Sequence, residues 1–67
     1  MTYRIETEVE VDGRWLAEVP DVPGAIVYGL SRQDATQRVQ ALVLRVLADR
    51  LEHGEDAPLL NVTFEAA

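Results

Sequence analysis

The sequence predicts a small α+β domain in which one helix covers one face of a single β-sheet, with the element order β-β-β-α-β. Apolar and polar residues alternate over residues 3–11 and 59–64, and this period of two is typical of strands with one buried face. Residues 32–52 instead repeat their apolar side chains at helical spacing. A chain of 67 residues has room for one domain, so we expect residues 1–67 to form a single folding unit.

The first two strands are predicted to form a hairpin around an Asp-Gly turn. A two-residue loop would place the apolar residues of the second strand on the face of the glutamates of the first. A three-residue loop, residues 12–14, unites the apolar residues on one face except Leu16, which must point to the face of the glutamates. Burial favours this loop because a slip of one residue moves every side chain to the other face. This register sets Val11 opposite Trp15 and requires a left-handed backbone at Gly13 or Arg14.

Two further strands are predicted after the hairpin. Two prolines make residues 20–24 a rigid surface loop, and a short third strand follows over residues 25–28. A polar turn at residues 55–58 precedes the last strand, residues 59–64. Because a strand–helix–strand unit makes a right-handed crossover, we expect the last strand to lie parallel to a neighbour.

Ser31 is predicted to cap a helix that spans residues 32–52 and stops at Gly54. Asp34 places negative charge in the first turn, and its spacing of four from Arg38 favours an ion pair. At 100° per residue, the side that packs on the sheet is formed by Ala35, Val39, Leu42, Val43 and Val46.

The opposite side of this helix is also apolar, which predicts a second partner for the helix. A domain of this size buries only about 60% of its unfolded surface, so added stability is expected. The absence of cysteine and the presence of a single histidine exclude disulfides and a zinc site as its source. We therefore predict a homodimer or higher oligomer, with the interface residues Leu44, Leu47, Ala48 and Leu51.

The charge and hydropathy of the chain argue against several classes of function. A net charge of −6 argues against direct binding of nucleic acid, which normally requires a basic surface. No stretch is apolar for long enough to span a membrane, and the N-terminus lacks the apolar segment of a signal peptide. We therefore expect a soluble, cytoplasmic protein.

The sequence predicts no enzyme, no metal site and no cofactor. Ser31 is assigned to helix capping, and His53 is expected to be a solvated residue at the end of the helix. Glu6, Glu8 and Glu10 share one strand face, but neighbours on such a face lie about 7 Å apart, so they form a row rather than a metal-binding cluster. The row is either a solvated sheet face or an anionic docking surface for a basic partner.

Residues 12–24, DGRWLAEVPDVPG, followed by GLSRQDA at residues 29–35, resemble the HicB-like antitoxin family. That family shows a DG-aromatic-xA-x-x-PDLPG pattern and then a G-x-T/S-x-x-E-A helix start. The resemblance implies a partial ribonuclease-H-like fold with sheet order 3-2-1-4 and no nuclease activity. It also implies neutralisation of a HicA-type RNA-cleaving toxin, a small basic protein, by masking its RNA-binding surface. Family members commonly add a C-terminal DNA-binding domain, which we do not expect within these 67 residues.

Two functions are therefore considered. The first is a non-catalytic, antitoxin-like module that binds a HicA-type toxin. The alternative is a self-assembling, stand-alone domain that binds a small ligand or acts in regulation without a toxin partner. For the first, the candidate partner-binding residues are Glu6, Glu8, Glu10, Leu16, Pro23 and Gly24.

Overall fold

The computed structural model describes residues 1–54 and 61–67, which form four strands and one helix in the predicted order. The strands form one mixed sheet in the order β3-β2-β1-β4, in which β4 is parallel to β1 and the other pairs are antiparallel. The predicted fold class, the sheet order and the parallel last strand are confirmed. The elements are β1 (Thr2–Val9), β2 (Trp15–Glu18), β3 (Ile26–Gly29), α1 (Arg32–Glu52) and β4 (Thr63–Ala66).

The hairpin between β1 and β2 has the predicted loop length and loop type. The Glu10 N–H donates to the Arg14 carbonyl at 2.7 Å, and the Gly13 N–H donates to the Glu10 carbonyl at 2.9 Å. Three residues therefore separate the last bonded pair, and Gly13 takes the left-handed conformation, with a φ of 91°. This is the bulge-type hairpin that the burial argument favoured.

The predicted register of this hairpin is wrong by two residues. The loop consists of residues 11–13, and Val9 rather than Val11 lies opposite Trp15. The cause is Asp12, whose carboxylate accepts the Arg14 N–H at 3.1 Å and so closes the loop one residue earlier on each side. Because the displacement is an even number of residues, the side chains of the paired strand residues keep their predicted faces, whereas Val11 moves into the loop and is fully exposed.

Both ends of β3 and the start of β4 also differ from the prediction. β3 begins at Ile26 and includes Gly29, and β4 begins only at Thr63. Val62 and Phe64 are half-buried against the core, as the alternation predicted. The predicted turn at residues 55–58 and the first two residues of the predicted last strand, residues 59–60, lie outside the described residues.

The helix has the predicted bounds and caps. The Ser31 hydroxyl accepts the Asp34 N–H at 3.0 Å, and the Gly54 N–H donates to the Leu51 carbonyl beyond the helix end. The Arg32 guanidinium lies 4.9 Å from the centre of the Trp15 ring and ties the first turn to β2. Within the part of the chain that the structure describes, no helix has both the length and the apolarity needed to cross a bilayer.

The core lies between α1 and the sheet face formed by β1, β2 and β3. Leu47 belongs to this core with 1% of its surface exposed, so its prediction as an interface residue is wrong. The buried helix residues recur every four positions, and the buried stripe therefore winds slowly around the helix until it includes Leu47. The fully buried helix residues are Ala35, Val39, Val43 and Leu47.

β3 and α1 approach closely at Gly29. A Cβ atom on Gly29 would lie 2.5 Å from the Ala35 nitrogen and 2.8 Å from its Cα atom. Beside this contact, the Asp34 carboxylate accepts the Leu30 N–H at 2.9 Å and holds the Arg38 guanidinium at 3.1 Å. The Leu30 hydrogen bond, followed by the Arg38 contact, lowers the pKa of Asp34 from its ordinary value.

Candidate protein-binding surface

The helix covers one face of the sheet, and the opposite face, here called the outer face, carries most of the candidate residues. Its side chains alternate with the buried ones along β1, β2 and β3. They are exposed or half-buried. The central side chains of the outer face are Glu6, Glu8, Leu16, Glu18, Ile26 and Tyr28.

Three carboxylates gather at the centre of the outer face. Glu6 lies directly opposite Glu18, and Glu8 is the next outward residue along β1. Like charges directly opposite each other destabilise a sheet. We name Glu6, Glu8 and Glu18 the acidic patch.

The acidic patch is bounded by pairs of opposite charge. Towards the hairpin, a backbone hydrogen bond joins Glu10 to Arg14, and the Arg14 guanidinium is held by Asp12 at 2.7 Å and lies 4.4 Å from the centre of the Tyr28 ring. The Arg14 backbone N–H bond lowers the pKa of Asp12 from its ordinary value. Towards the other end of β1, Arg4 lies opposite Glu65 of β4. Glu10, which was also predicted to bind a partner, lies at the hairpin end of the outer face, beyond the acidic patch.

Apolar side chains adjoin the acidic patch on the side of β3. Leu16 lies between Glu8 and Tyr28, and Ile26 lies next to Glu18. Ile26 and Tyr28 expose 50% and 47% of their surfaces. An acidic patch beside exposed apolar groups is a surface that suits a protein partner, because apolar contact supplies affinity and charge supplies specificity.

Pro23 and Gly24, the remaining candidates for partner binding, are exposed in the turn between β2 and β3. This turn begins at the Val19–Ala25 pair, one pair beyond Glu18 and Ile26, and its base is fixed by the buried Val22. The turn therefore forms a fixed rim at the end of the outer face that is nearer to Glu6 and Glu18.

The outer side of α1 exposes three of the four residues predicted for self-association. Leu44 and Leu51 expose 49% and 47% of their surfaces, and Ala48 lies exposed between them. With Leu47 buried, these residues form a narrow stripe, and half-exposed leucines of this kind are common on soluble domains.

The described residues contain no group of three or more histidine, aspartate or glutamate side chains that could hold a metal ion. His53 is exposed, and its Nδ1 atom lies 2.8 Å from the Asp49 carbonyl, as expected of a residue at the end of the helix.

Sequence reasoning missed Glu18, Ile26 and Tyr28 as residues of the outer face. The signal was present in the alternation of β2 and β3, but the place of Glu18 beside Glu6 depends on the exact register.

No family model, curated protein or solved structure matches the chain. The outer face and the sequence resemblance are therefore the two observations that bear on the function.

Proposed function

We propose that the chain is a non-catalytic, antitoxin-like module that binds a small basic protein, an RNA-cleaving toxin of the HicA type, on its outer face. The partner would place its cationic RNA-binding surface on the acidic patch and apolar side chains on Leu16 and Ile26. Neutralisation would follow from occupancy, since a toxin surface covered by this domain is closed to RNA.

The observation that carries this proposal is the pairing of Glu6 with Glu18. Two carboxylates on adjacent strands repel each other in the isolated domain, at a cost of about 0.2–1 kcal/mol, and no cation on the described part of the outer face lies between them. A cationic partner would convert this repulsion into attraction. A surface that costs stability when free is expected where binding requires it.

The proposal predicts that Glu18→Gln has opposite effects on binding and on stability. Binding to a HicA-type basic toxin should weaken by about tenfold, because one charge of the contact is lost. The free energy of unfolding should rise by about 0.5 kcal/mol, because the repulsion with Glu6 is removed. Titration calorimetry measures the first quantity and urea denaturation the second.

The matched control is Glu52→Gln, which removes the same charge from an exposed residue at the end of α1. It should leave binding unchanged. Co-expression supplies the functional measurement: the wild-type chain and Glu52→Gln should restore growth in the presence of the toxin, and Glu6→Gln/Glu18→Gln should not. Equal weakening by Glu18→Gln and Glu52→Gln would contradict a docking role for the acidic patch, and no binding by the wild type would refute the proposed function.

A further inference from the structure

The two edges of the sheet differ in charge. β4 carries Glu65 on its exposed side, whereas β3 contains no charged residue. Near β3, Asp34 pairs with Arg38 and Asp12 pairs with Arg14, whereas Glu18 on β2 and Arg45 on α1 have no ion-pair partner among the described residues. For a protein with a net charge of −6, β3 is thus the edge strand that itself adds no charged side chain to a contact with a second copy.

The hydrogen-bond pattern identifies which backbone groups of β3 point outwards. The Val19 N–H donates to the Ala25 carbonyl, so Val19 and Ala25 form a hydrogen-bonded pair of the β2–β3 ladder. Bonded and non-bonded pairs alternate in an antiparallel ladder, so the backbone groups of Val27 point to β2. Those of Ile26 and Tyr28 therefore point away from the sheet.

One donor on this edge has no partner among the described residues. The Ile26 N–H donates to the Gly24 carbonyl at 2.9 Å, and the Leu30 N–H donates to the Asp34 carboxylate. Between these two satisfied groups, the Tyr28 N–H and C=O point outwards side by side. An uncharged edge strand with such groups is a template for pairing with another strand.

We propose that two copies of the chain associate through β3, with Tyr28 of each copy opposite Tyr28 of the other about a twofold axis. In this register the two tyrosines exchange both of their backbone hydrogen bonds, since residues of a bonded antiparallel pair do so reciprocally. The same register sets Ile26 opposite Leu30 of the second copy. It covers Leu30, which exposes 85% of its surface, and joins the two sheets into one of eight strands.

The helix side above β3 suits the same approach. A groove of about 520 Å³ runs along the edge beneath α1, with Val27, Tyr28, Ala41 and Leu42 beside the polar Asp34, Gln37, Arg38 and Arg45. A stable interface buries about 800 Å² per partner, which a four-residue edge alone does not provide. Contact in both layers, between the two β3 strands and between the side chains that border the two grooves, would add to this area. The acidic patches of the two copies stay open, because they lie one and two strands in from β3.

Hydrogen exchange of the wild-type protein tests this arrangement directly. The Tyr28 amide should exchange freely in dilute protein, and its protection should rise at least about tenfold between about 10 μM and about 1 mM as dimers form. The Val27 amide, which is bonded to β2, is the internal reference and should remain protected throughout. Sedimentation equilibrium measures the dimer fraction over the same range.

Tyr28→Pro removes the outward N–H and no bond to β2, and proline is tolerated at such a position of an edge strand. The dissociation constant of the dimer should rise by about tenfold to a hundredfold, since both reciprocal bonds lose their donor. Tyr28→Ala keeps the N–H and should weaken the dimer less. Far-ultraviolet circular dichroism checks that both variants keep the fold.

Three outcomes would overturn the proposal. The wild type could remain monomeric at about 1 mM, a concentration at which even a weak dimer forms. Alternatively, dimers could form without added protection of the Tyr28 amide. Lastly, Leu44→Asp could dissociate the dimer while Tyr28→Pro leaves it intact, which would assign the contact to the outer side of α1. Partner binding by Glu18→Gln is measured separately, so failure of one proposal does not imply failure of the other.

Discussion

At the scale of single residues, the close contact between Gly29 and Ala35 explains why glycine stands just before the start of the helix. Gly29 ends β3, and its missing side chain leaves the space that the backbone of Ala35 occupies. Asp34, between the cap and this contact, accepts the Leu30 N–H and so fixes the chain as it leaves β3. The G-x-S-x-x-D-A pattern of residues 29–35 is thus a packing and capping device, whichever function the domain has.

Gly29→Ala should therefore destabilise the domain by about 1–3 kcal/mol, because the added methyl group meets backbone atoms that cannot move aside without shifting the helix. Gly13→Ala is the comparison. Its left-handed φ makes it unfavourable, but no atom lies within 4 Å of the added Cβ, so its cost should be limited to about 1 kcal/mol. Chemical denaturation of both variants measures the difference. A smaller loss at Gly29 than at Gly13 would mean that β3 and α1 are not in close contact.

At the scale of elements, the helix shows how far periodicity alone determines burial. An ideal helical wheel placed Leu47 at the margin of the outer side, whereas the structure buries it. The wheel assigns a single direction to the buried side, but a twisted sheet requires a buried stripe that changes direction along the helix. Leu44, three residues earlier, keeps about half of its surface in solvent.

This difference predicts unequal costs for two leucine truncations on the same helix. Leu47→Ala should lower the free energy of unfolding by about 2–5 kcal/mol, because it leaves a cavity in the core. Leu44→Ala should cost about 1 kcal/mol or less, because half of the side chain is already in water. Urea denaturation at a concentration that favours monomers separates the two effects. Equal losses at both positions would show that the helix is rotated relative to the sheet.

The elements, their order and the faces of most described strand and helix residues could be predicted from the sequence, because alternation, caps and turn residues are local signals; Leu47 and Val11 are exceptions. The hairpin register could not, since it depends on the Asp12 side chain closing the loop on Arg14, a choice that alternation does not distinguish from a shift of two residues. This error hid the pairing of Glu6 with Glu18, on which the candidate site depends. The free Tyr28 N–H was likewise invisible, because it follows from the ladder pattern and not from residue type.

At the scale of the whole molecule, the acidic patch and the uncharged strand β3 give the domain two surfaces that bind by different forces. The acidic patch at the centre of the outer face would attract a basic partner, and the −6 charge of the chain would add long-range steering. The uncharged edge would bind a second copy in spite of that charge. An eight-stranded dimer would present two acidic patches on one continuous face, so that self-association and partner binding would be compatible.

These two surfaces should respond to salt in opposite directions. Raising ionic strength from about 0.05 M to about 0.5 M shortens the Debye length to a few ångströms and screens exposed charges. Dimerisation of two copies that each carry −6 should strengthen, since their repulsion is screened while the apolar and backbone contacts at β3 are retained. Binding of the basic partner should weaken, because its attraction to Glu6, Glu8 and Glu18 is screened. Sedimentation equilibrium and titration calorimetry over the same salt series measure the two constants. If both interactions weakened together, charge would dominate the dimer contact as well, and an uncharged strand edge could not be its centre.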